Sequence, residues 1–353
     1  MNLKPMFEPK TMAVIGISAN NDRHPANVVF TKNSARYPVE VYAVNPKGGH
    51  LHGHTIFPRV ADIPRKIDLA VIATRADLVP DVMADCIKAG VKSAAVISGG
   101  FTEGGRGDLQ DRIVKTATEA HFPFIGPNCL GVYVPFKVDT FFLPLERMIK
   151  PEYGGVTFVS QSGGILVDHM IKFAEQGVGM AKAISIGNKA FIKEKELLDY
   201  LVHDPSTKVI AYYIEGFGEG EGRDFVLAAD HSPKPVIIMK SGKTAAGNRA
   251  VSSHTASLAG DYASFSAAIA QHNILEAANE QELVSFCEVL SSYTKPIEGN
   301  IGIITGSGGH GAMAVDACSI AGLNVPQLSE ETKTEVKNNL TDNIRNIASL
   351  GNP

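Results

Sequence analysis

The chain has 353 residues, 44% of them hydrophobic, enough for two or three domains of ordinary size with sizeable cores. A formal net charge of -4 leaves no basic footprint for nucleic acid, and no stretch reaches the roughly 18 continuous apolar residues of a membrane span. Cys86, Cys129, Cys287 and Cys318 form no CxxC pair, and residues 1–10 lack the apolar core of a signal peptide; this speaks against a disulfide framework and a zinc site, and for reduced thiols in a cytoplasmic protein.

Short apolar runs alternate with amphipathic stretches along the whole chain, the pattern of parallel sheets with helices on both faces. Abundant glycine, few aromatics and no Trp suit such an α/β fold with many tight strand-to-helix turns. In the first module, ending near residue 135, strands are predicted at 12–15, 41–44, 69–73 and 94–97. A helix opens near Pro25, others cover 76–89 and 108–121, and Gly126-Pro127-Asn128 closes the module after Phe124-Ile125. A connector over 144–155 leads to a second module with strands at 156–159, 181–186, 209–214 and 236–240. Its helices fit 164–176, 194–202, 261–272 and 280–293. A third module opens with a strand-to-glycine junction at 301–306 and a helix at 310–321; about 55 residues are too few for a complete α/β domain, so it is expected to be a fragment of one.

Three strand-to-helix junctions carry candidate chemistry. After the first strand, Gly16-Ile17-Ser18 makes a turn whose backbone N–H groups are expected to face a phosphate at a helix N-terminus. The dinucleotide fingerprint GxGxxG is missing, and the second strand is followed by Asn45-Pro46-Lys47 instead of an acidic residue. A cation there favours a phosphorylated ribose, the 3′-phosphate of coenzyme A or the 2′-phosphate of NADP. Ser160-Gln161-Ser162-Gly163-Gly164 follows the strand at 156–159 and forms a candidate anion nest. The junction Thr305-Gly306-Ser307-Gly308-Gly309 repeats that design. His254 lies in the small-residue run Ser252-Ser253-His254-Thr255-Ala256-Ser257, which has no hydrophobic period and reads as a loop that other segments can approach closely.

These motifs stand in the order seen in the NDP-forming acyl-CoA synthetases, the superfamily of succinyl-CoA synthetase and ADP-forming acetyl-CoA synthetase. Gly16-Ile17-Ser18, Asn45-Pro46-Lys47, Ser98-Gly99-Gly100 and Asn128-Cys129 resemble the family's CoA-binding domain, and the run around His254 resembles its phosphohistidine loop. The resemblance implies a CoA-binding Rossmann-like domain over 1–135, a flavodoxin-like domain over 150–295, and the start of a second flavodoxin-like domain over 299–353. It implies the reaction acyl-CoA + phosphate + ADP ⇌ acid + CoA + ATP through an acyl phosphate. His254 would carry the phosphoryl group, oriented by Glu215 and cradled by Ser160, Ser162, Gly163, Gly308 and Gly309. CoA would be held by Gly16, Ser18, Asn45, Pro46, Lys47, Ser98, Gly99, Gly100, Asn128 and Cys129.

The family's ATP-grasp module, which handles ATP, ADP and Mg, has no candidate in this chain, and no GxxxxGK[ST] loop is present. It is expected as a further domain or partner subunit in an oligomer, with no dedicated metal site in this half. Three departures stand out: Pro25-Ala26 where glycine is common, Ala256 where glycine usually follows the His-Thr pair, and Phe191 where many relatives carry aspartate. They leave open a CoA-binding regulatory protein without catalysis. Lys47 leaves open an NADP-linked oxidoreductase, although no catalytic acid–base set accompanies it.

Overall fold

A computed structural model describes residues 1–144, 148–254, 262–293, 295 and 299–340, with 252–254 described by backbone only. The chain divides into two compact units, residues 1–294 and 295–353.

The first unit opens with the short helix α1 (Lys4–Phe7) and strand β1 (Thr11–Ile15). Helix α2 (Pro25–Arg36) follows, with Pro25 at its first turn and the His24 side chain accepting a bond from the Ala26 N–H. Next come β2 (Glu40–Val44), a hairpin of β3 (Gly49–Leu51) and β4 (His54–Phe57), β5 (Leu69–Ile72), α3 (Val79–Lys88), β6 (Ser93–Val96), α4 (Gly107–Ala120) and β7 (Phe124–Ile125). They form one sheet in the order β3-β4-β2-β1-β5-β6-β7, parallel except for β3. Alternate residues of β1 serve different layers. Met12 and Val14 pack with Leu3, Phe7, Val29 and Phe30, whereas Ala13 and Ile15 pack with Met83, Cys86, Leu109 and Ile113 on the other face. Burial on both faces is why these strands read as continuous apolar runs.

A second hairpin, β8 (Gly131–Val134) and β9 (Val138–Asp139), precedes β10 (Tyr153–Ser160), α5 (Gly163–Glu175), β11 (Met180–Ser185), α6 (Glu194–Leu201), β12 (Val209–Ile214), α7 (Glu221–Asp230) and β13 (Val236–Lys240). The unit continues through α8 (Ala245–His254), α9 (Tyr262–Ala270), β14 (Leu275–Ala277) and α10 (Glu280–Ser292). The second sheet runs β14-β13-β12-β10-β11-β8-β9, parallel across its first five strands and antiparallel at the β8–β9 edge. One hydrophobic cluster runs through both sheets, joining Val14 and Phe30 to Leu197, Ile210 and Tyr212. Stacking of Phe7 on Tyr200, with centroids 5.0 Å apart, ties α1 to α6.

The strong α/β expectation holds, with three local differences. The run leading to His254 is helical in its backbone. Thr244 Oγ1 accepts the Gly247 N–H at 3.0 Å and starts the helix, Ala-rich sequence sustains it, and Val251 is the one apolar residue it is seen to bury. With so little of its described part buried, no hydrophobic period marks it. The predicted strand at 301–306 is not regular strand. Among the described residues of the second unit it has no neighbouring strand to pair with, and Ile304 is fully exposed. That unit holds α11 (Gly308–Ile320) and α12 (Glu330–Asn339). Finally, α1, both hairpins, α7, β14 and α12 are elements that the sequence pattern does not mark.

One buried ionic cluster joins α2 to the β8–β9 hairpin. Lys32 Nζ lies 2.9 Å from Asp139 Oδ1 and Lys150 Nζ 2.5 Å from Oδ2, and Asp139 is fully buried. Burial pulls the Lys32 pKa down, and Asp139 works against that fall. Removing the shared carboxylate strands two cations with no counter-charge. Asp139→Ala is expected to cost about 3–5 kcal/mol, read from urea unfolding; a loss below about 1 kcal/mol, typical of exposed pairs, would refute this role.

Candidate functional site

In each sheet the strand order reverses beside the central strand, and ligand crevices of open α/β sheets lie at such points, beyond the carboxyl ends of the strands. In the first sheet the reversal falls between β1 and β5. Gly16 sits there with φ +103°, and a Cβ at this position would collide with the Ala73 carbonyl. Only glycine allows the two strand ends this approach.

The turn is less open than its sequence suggests. Gly16 N–H and Ile17 N–H both donate to Val44 O, and Ser18 N–H donates to Asn27 Oδ1 at 2.8 Å. The expected display of these three N–H groups is therefore corrected: buried Asn27 of α2 closes the turn, also donating to Ser18 O at 2.7 Å. Asn45 Nδ2 donates to Ile17 O at 2.7 Å and its Oδ1 accepts the Lys47 N–H. Pro46 and Lys47 stand exposed at the rim.

Further along the same edge, Ser98 Oγ bridges the Thr74 N–H and Ile72 O, and Ser98 O accepts the Asn128 N–H at 2.8 Å. Exposed Gly99 and Gly100 follow, with Gly100 at φ +97°. Glu103 holds this turn by accepting the Gly100 N–H at 2.6 Å and the Phe101 N–H at 3.2 Å. Burial pushes the Glu103 pKa up, but bonds from Asn188 and these N–H groups outweigh it and hold the carboxyl below its ordinary range. Asn128 is exposed beside Gly99 with φ +58°. Cys129 points the other way. It is buried with Sγ against Val96 O, and burial pushes its thiol up to about 12.

In the second sheet the reversal falls between β10 and β12. Ser160 Oγ donates to Ser162 O at 2.6 Å and accepts the Ser162 N–H at 3.1 Å. Ser162 caps α5 by accepting the Ile165 N–H. Helix geometry then leaves the Gly163 and Gly164 N–H groups without acceptors inside the helix, at its positive end. Leu130 presses on Gly163 so closely that a Cβ would crowd it. Across the crevice, Glu215 follows β12 and is 5% exposed. Its carbonyl accepts from Lys240 Nζ at 2.6 Å, and burial lowers the pKa of that lysine. His254 ends α8 in the described backbone; its side chain, and Ala256, lie outside the described residues.

A strip over 187–192 links the two crevices. Asn188 N–H donates to Pro127 O, Ala190 N–H to Gly126 O and Ile192 N–H to Phe124 O, at 2.9, 3.0 and 3.2 Å. Asn188 Nδ2 reaches Glu103 Oε2 at 2.5 Å and Gln110 Oε1 at 3.1 Å. Lys189 Nζ turns the other way, 3.2 Å from Glu194 and 3.0 Å from Glu221. Phe191 stacks on Phe124 with centroids 5.3 Å apart, so the ring that replaces the expected aspartate is packed between the sheets. Sequence reasoning passed over Glu103, Asn188, Lys189, Glu194 and Glu221, and quoted Gln161 without a role. The bonds that tie Gln161 to Glu215, Glu103 to Asn188 and Lys189 to Glu221 cross 54, 85 and 32 residues of chain, so spacing gave no signal for them.

Within the second unit, the Ser160/Ser162 pattern recurs. Ser307 N–H donates to Thr305 Oγ1 at 3.2 Å, Thr305 Oγ1 donates to Ser307 O at 3.4 Å, and Ser307 caps α11. Gly308 and Gly309 open that helix.

Residues 10–135 match the family described as CoA binding domain, and residues 153–290 match the succinyl-CoA ligase like flavodoxin domain. The ADP-forming acetate–CoA ligase I of Archaeoglobus fulgidus is 38% identical over 337 residues, which cover 95% of this chain and 48% of that protein. The chain thus spans about half the length of that relative. The alpha subunit of ADP-forming acetate–CoA ligase I of Pyrococcus furiosus is 34% identical over 342 residues, 94% of this chain and 73% of the subunit. In structure, the chain is similar to dinucleotide-forming acetyl-coenzyme A synthetase 1 of Ca. Korarchaeum cryptofilum, solved with phosphate and ADP. The TM-score is 0.87 at 32% identity, over 100% of this chain and 75% of that one. No helix among the described residues is long and apolar enough to cross a membrane.

The ionic strip also sets an acid limit on stability. Burial pushes the Glu221 pKa up, but Lys193, Lys189 and the Gly218 N–H more than reverse this and hold it at about 2 against an ordinary 4.5. A depressed carboxyl contributes stability in full above its unfolded pKa and loses it as pH falls toward the folded one. Glu221→Gln is therefore expected to flatten the loss of thermal stability between pH 4.5 and about 2; an unchanged acid limb in a pH series of melting curves would contradict this.

Proposed function

The chain belongs to the NDP-forming acyl-CoA synthetases, among the ADP-forming acetate–CoA ligases, and we propose that it carries the CoA and phosphohistidine half of such an enzyme. The observation that supports this most is the pairing of two switch-point crevices in one unit, joined by the strip over 187–192. One crevice belongs to the sheet matched to a CoA-binding family, and the other holds a helix N-terminus suited to phosphate.

In this reading residues 1–135 bind CoA. Lys47 meets the 3′-phosphate, while Gly16, Ser18, Asn45 and Pro46 shape the floor and the turns 98–100 and 128–129 form the wall. Gly16 and Cys129 act by letting backbone approach and by packing, because their polar groups are engaged inside the protein, and Ser18 has its backbone N–H and carbonyl tied to Asn27. Residues 150–295 carry the phosphoryl chemistry. Phosphate attacks the thioester carbonyl, the C–S bond breaks, and CoA leaves with an acyl phosphate formed. A ring nitrogen of His254 then attacks phosphorus, the P–O bond to the acyl group breaks, and the carboxylate departs with the electron pair. Phosphoryl transfer is mainly a matter of positioning and charge stabilisation. Gly163 and its neighbours supply a helix dipole for that, and Glu215 orients the imidazole and fixes its tautomer. Gly308 and Gly309, in the 299–353 portion, form a second nest of the same build.

ATP, ADP and Mg would be handled by an ATP-grasp module, fused or separate. Relatives named alpha subunits support a partner of this kind, and with it an oligomer. The acyl group is a small organic acid. Because the matched relatives are ligases, the NADP-linked reading is set aside.

Calorimetric titration of this chain is expected to give CoA binding that weakens about tenfold, 1.4 kcal/mol, in Lys47→Ala, with binding of dephospho-CoA unaltered. Preference for NADP over CoA would overturn the reading of the first domain. Incubation with radiolabelled acetyl phosphate is expected to label the wild-type chain at a histidine, and His254→Asn should take up no label. Equal labelling of that variant would remove His254 from the mechanism.

A further inference from the structure

We propose that Gln161, backed by Glu194, is the positioning residue that sets Glu215 against the phosphate-binding turn, an inference that rests on the roles proposed for Glu215 and His254. Parallel pairing of β10 with β12 ends at Ser160 opposite Tyr213. Beyond that point the strands part, because the order of the sheet reverses there. The Gln161 side chain takes over where the ladder stops. Its Oε1 accepts the Glu215 N–H at 2.7 Å and the Gly216 N–H at 3.2 Å. Its Nε2 donates to Gly216 O at 2.8 Å and to the Glu194 carboxylate.

A primary amide has two acceptor sites and two donors, and all four are used here. The amide has one workable orientation, since turning it over would set N–H against N–H and oxygen against a carboxylate. Gln161 is 7% exposed, so water does not replace these bonds cheaply. Glu194 is 1% exposed and opens α6, where the helix dipole favours its charge. Its other oxygen takes Lys189. Gln161 thereby joins the backbone at Glu215 to the ionic strip that also reaches the first crevice through Asn188. The residue flanked by Ser160 and Ser162, which form the nest, is the same residue that fixes the backbone of the orienting glutamate. Spacing between nest and carboxylate is thus set by one side chain.

The test uses the full chain and its rate of labelling by radiolabelled acetyl phosphate. Gln161→Glu places a second carboxylate on Glu194 and removes the donor to Gly216 O. It is expected to slow labelling about 100-fold, the scale of a misplacement of about 1 Å. Calorimetric CoA affinity should stay within about twofold, because the CoA crevice belongs to the other sheet. The double variant Gln161→Glu with Glu194→Gln restores a donor and an acceptor between the two positions, and its rate should return to within about tenfold of wild type. Gln161→Met keeps the length and drops every bond, and should be as slow as Gln161→Glu with CoA affinity retained. Wild-type labelling rates in Gln161→Met or Gln161→Glu, or a double variant no faster than Gln161→Glu, would overturn the proposal. Loss of CoA binding in parallel with labelling in both single variants would also overturn it, in favour of a purely structural role. A wild-type chain that takes no label would instead refute the phosphohistidine reading, and the inference would fall with it.

Discussion

Everything in the first unit depends on how closely the backbone over 187–190 approaches the turn at 126–128. Gly187 has φ +52°, and a Cβ there would collide with the carbonyls of both Pro127 and Asn128. This contact lets the strip beyond it run along β7 and donate three backbone N–H groups to carbonyls at the end of the first sheet. A strand edge left bare is a standing invitation to foreign pairing, and here the second module covers it. The same three bonds bring the loops of one crevice against those of the other. Polar side chains then divide naturally: Asn188 serves the first crevice and Lys189, its neighbour, serves the second.

The two crevices reach their shape by different means. At the first, proximity is the main device. Glycine at position 16 admits the Ala73 carbonyl, and Asn27 and Asn45 satisfy the turn from inside. At the second, a chain of charges that runs from buried Glu194 and Lys189 to half-buried Glu221 and Lys193 does more of the shaping. Glu194, Lys189, Glu221 and Lys193 alternate in sign across the crevice, so each buried ion has a counter-charge at hand and the cost of removing it from water is partly offset.

Sequence alone made much of this legible, for a physical reason. Strands buried on both faces, such as β5 and β12, must be apolar throughout and announce themselves. The family motifs were legible because short turns that approach other backbones restrict residue choice at each step. Three kinds of feature stayed hidden. Short edge hairpins carry little hydrophobic pattern; the His52-Gly53 turn, with both residues at positive φ, was the one available hint for β3 and β4. The described part of the helix before His254 buries too little to show a period. Gln161 and Glu103 owe their importance to partners 54 and 85 residues away, which no local reading can anticipate.

The burial of Cys129 has a consequence of its own. A protein that handles thioesters risks acylating itself, because a cysteine in the thiolate form exchanges readily with an acyl thioester. Cys129 adjoins the turn that walls the first crevice, yet its sulfur faces the core and its proton is held far above neutral pH. Cys86 is likewise buried and raised to about 12. Under the proposed function these two thiols are poor nucleophiles toward a thioester, since both are buried and held protonated.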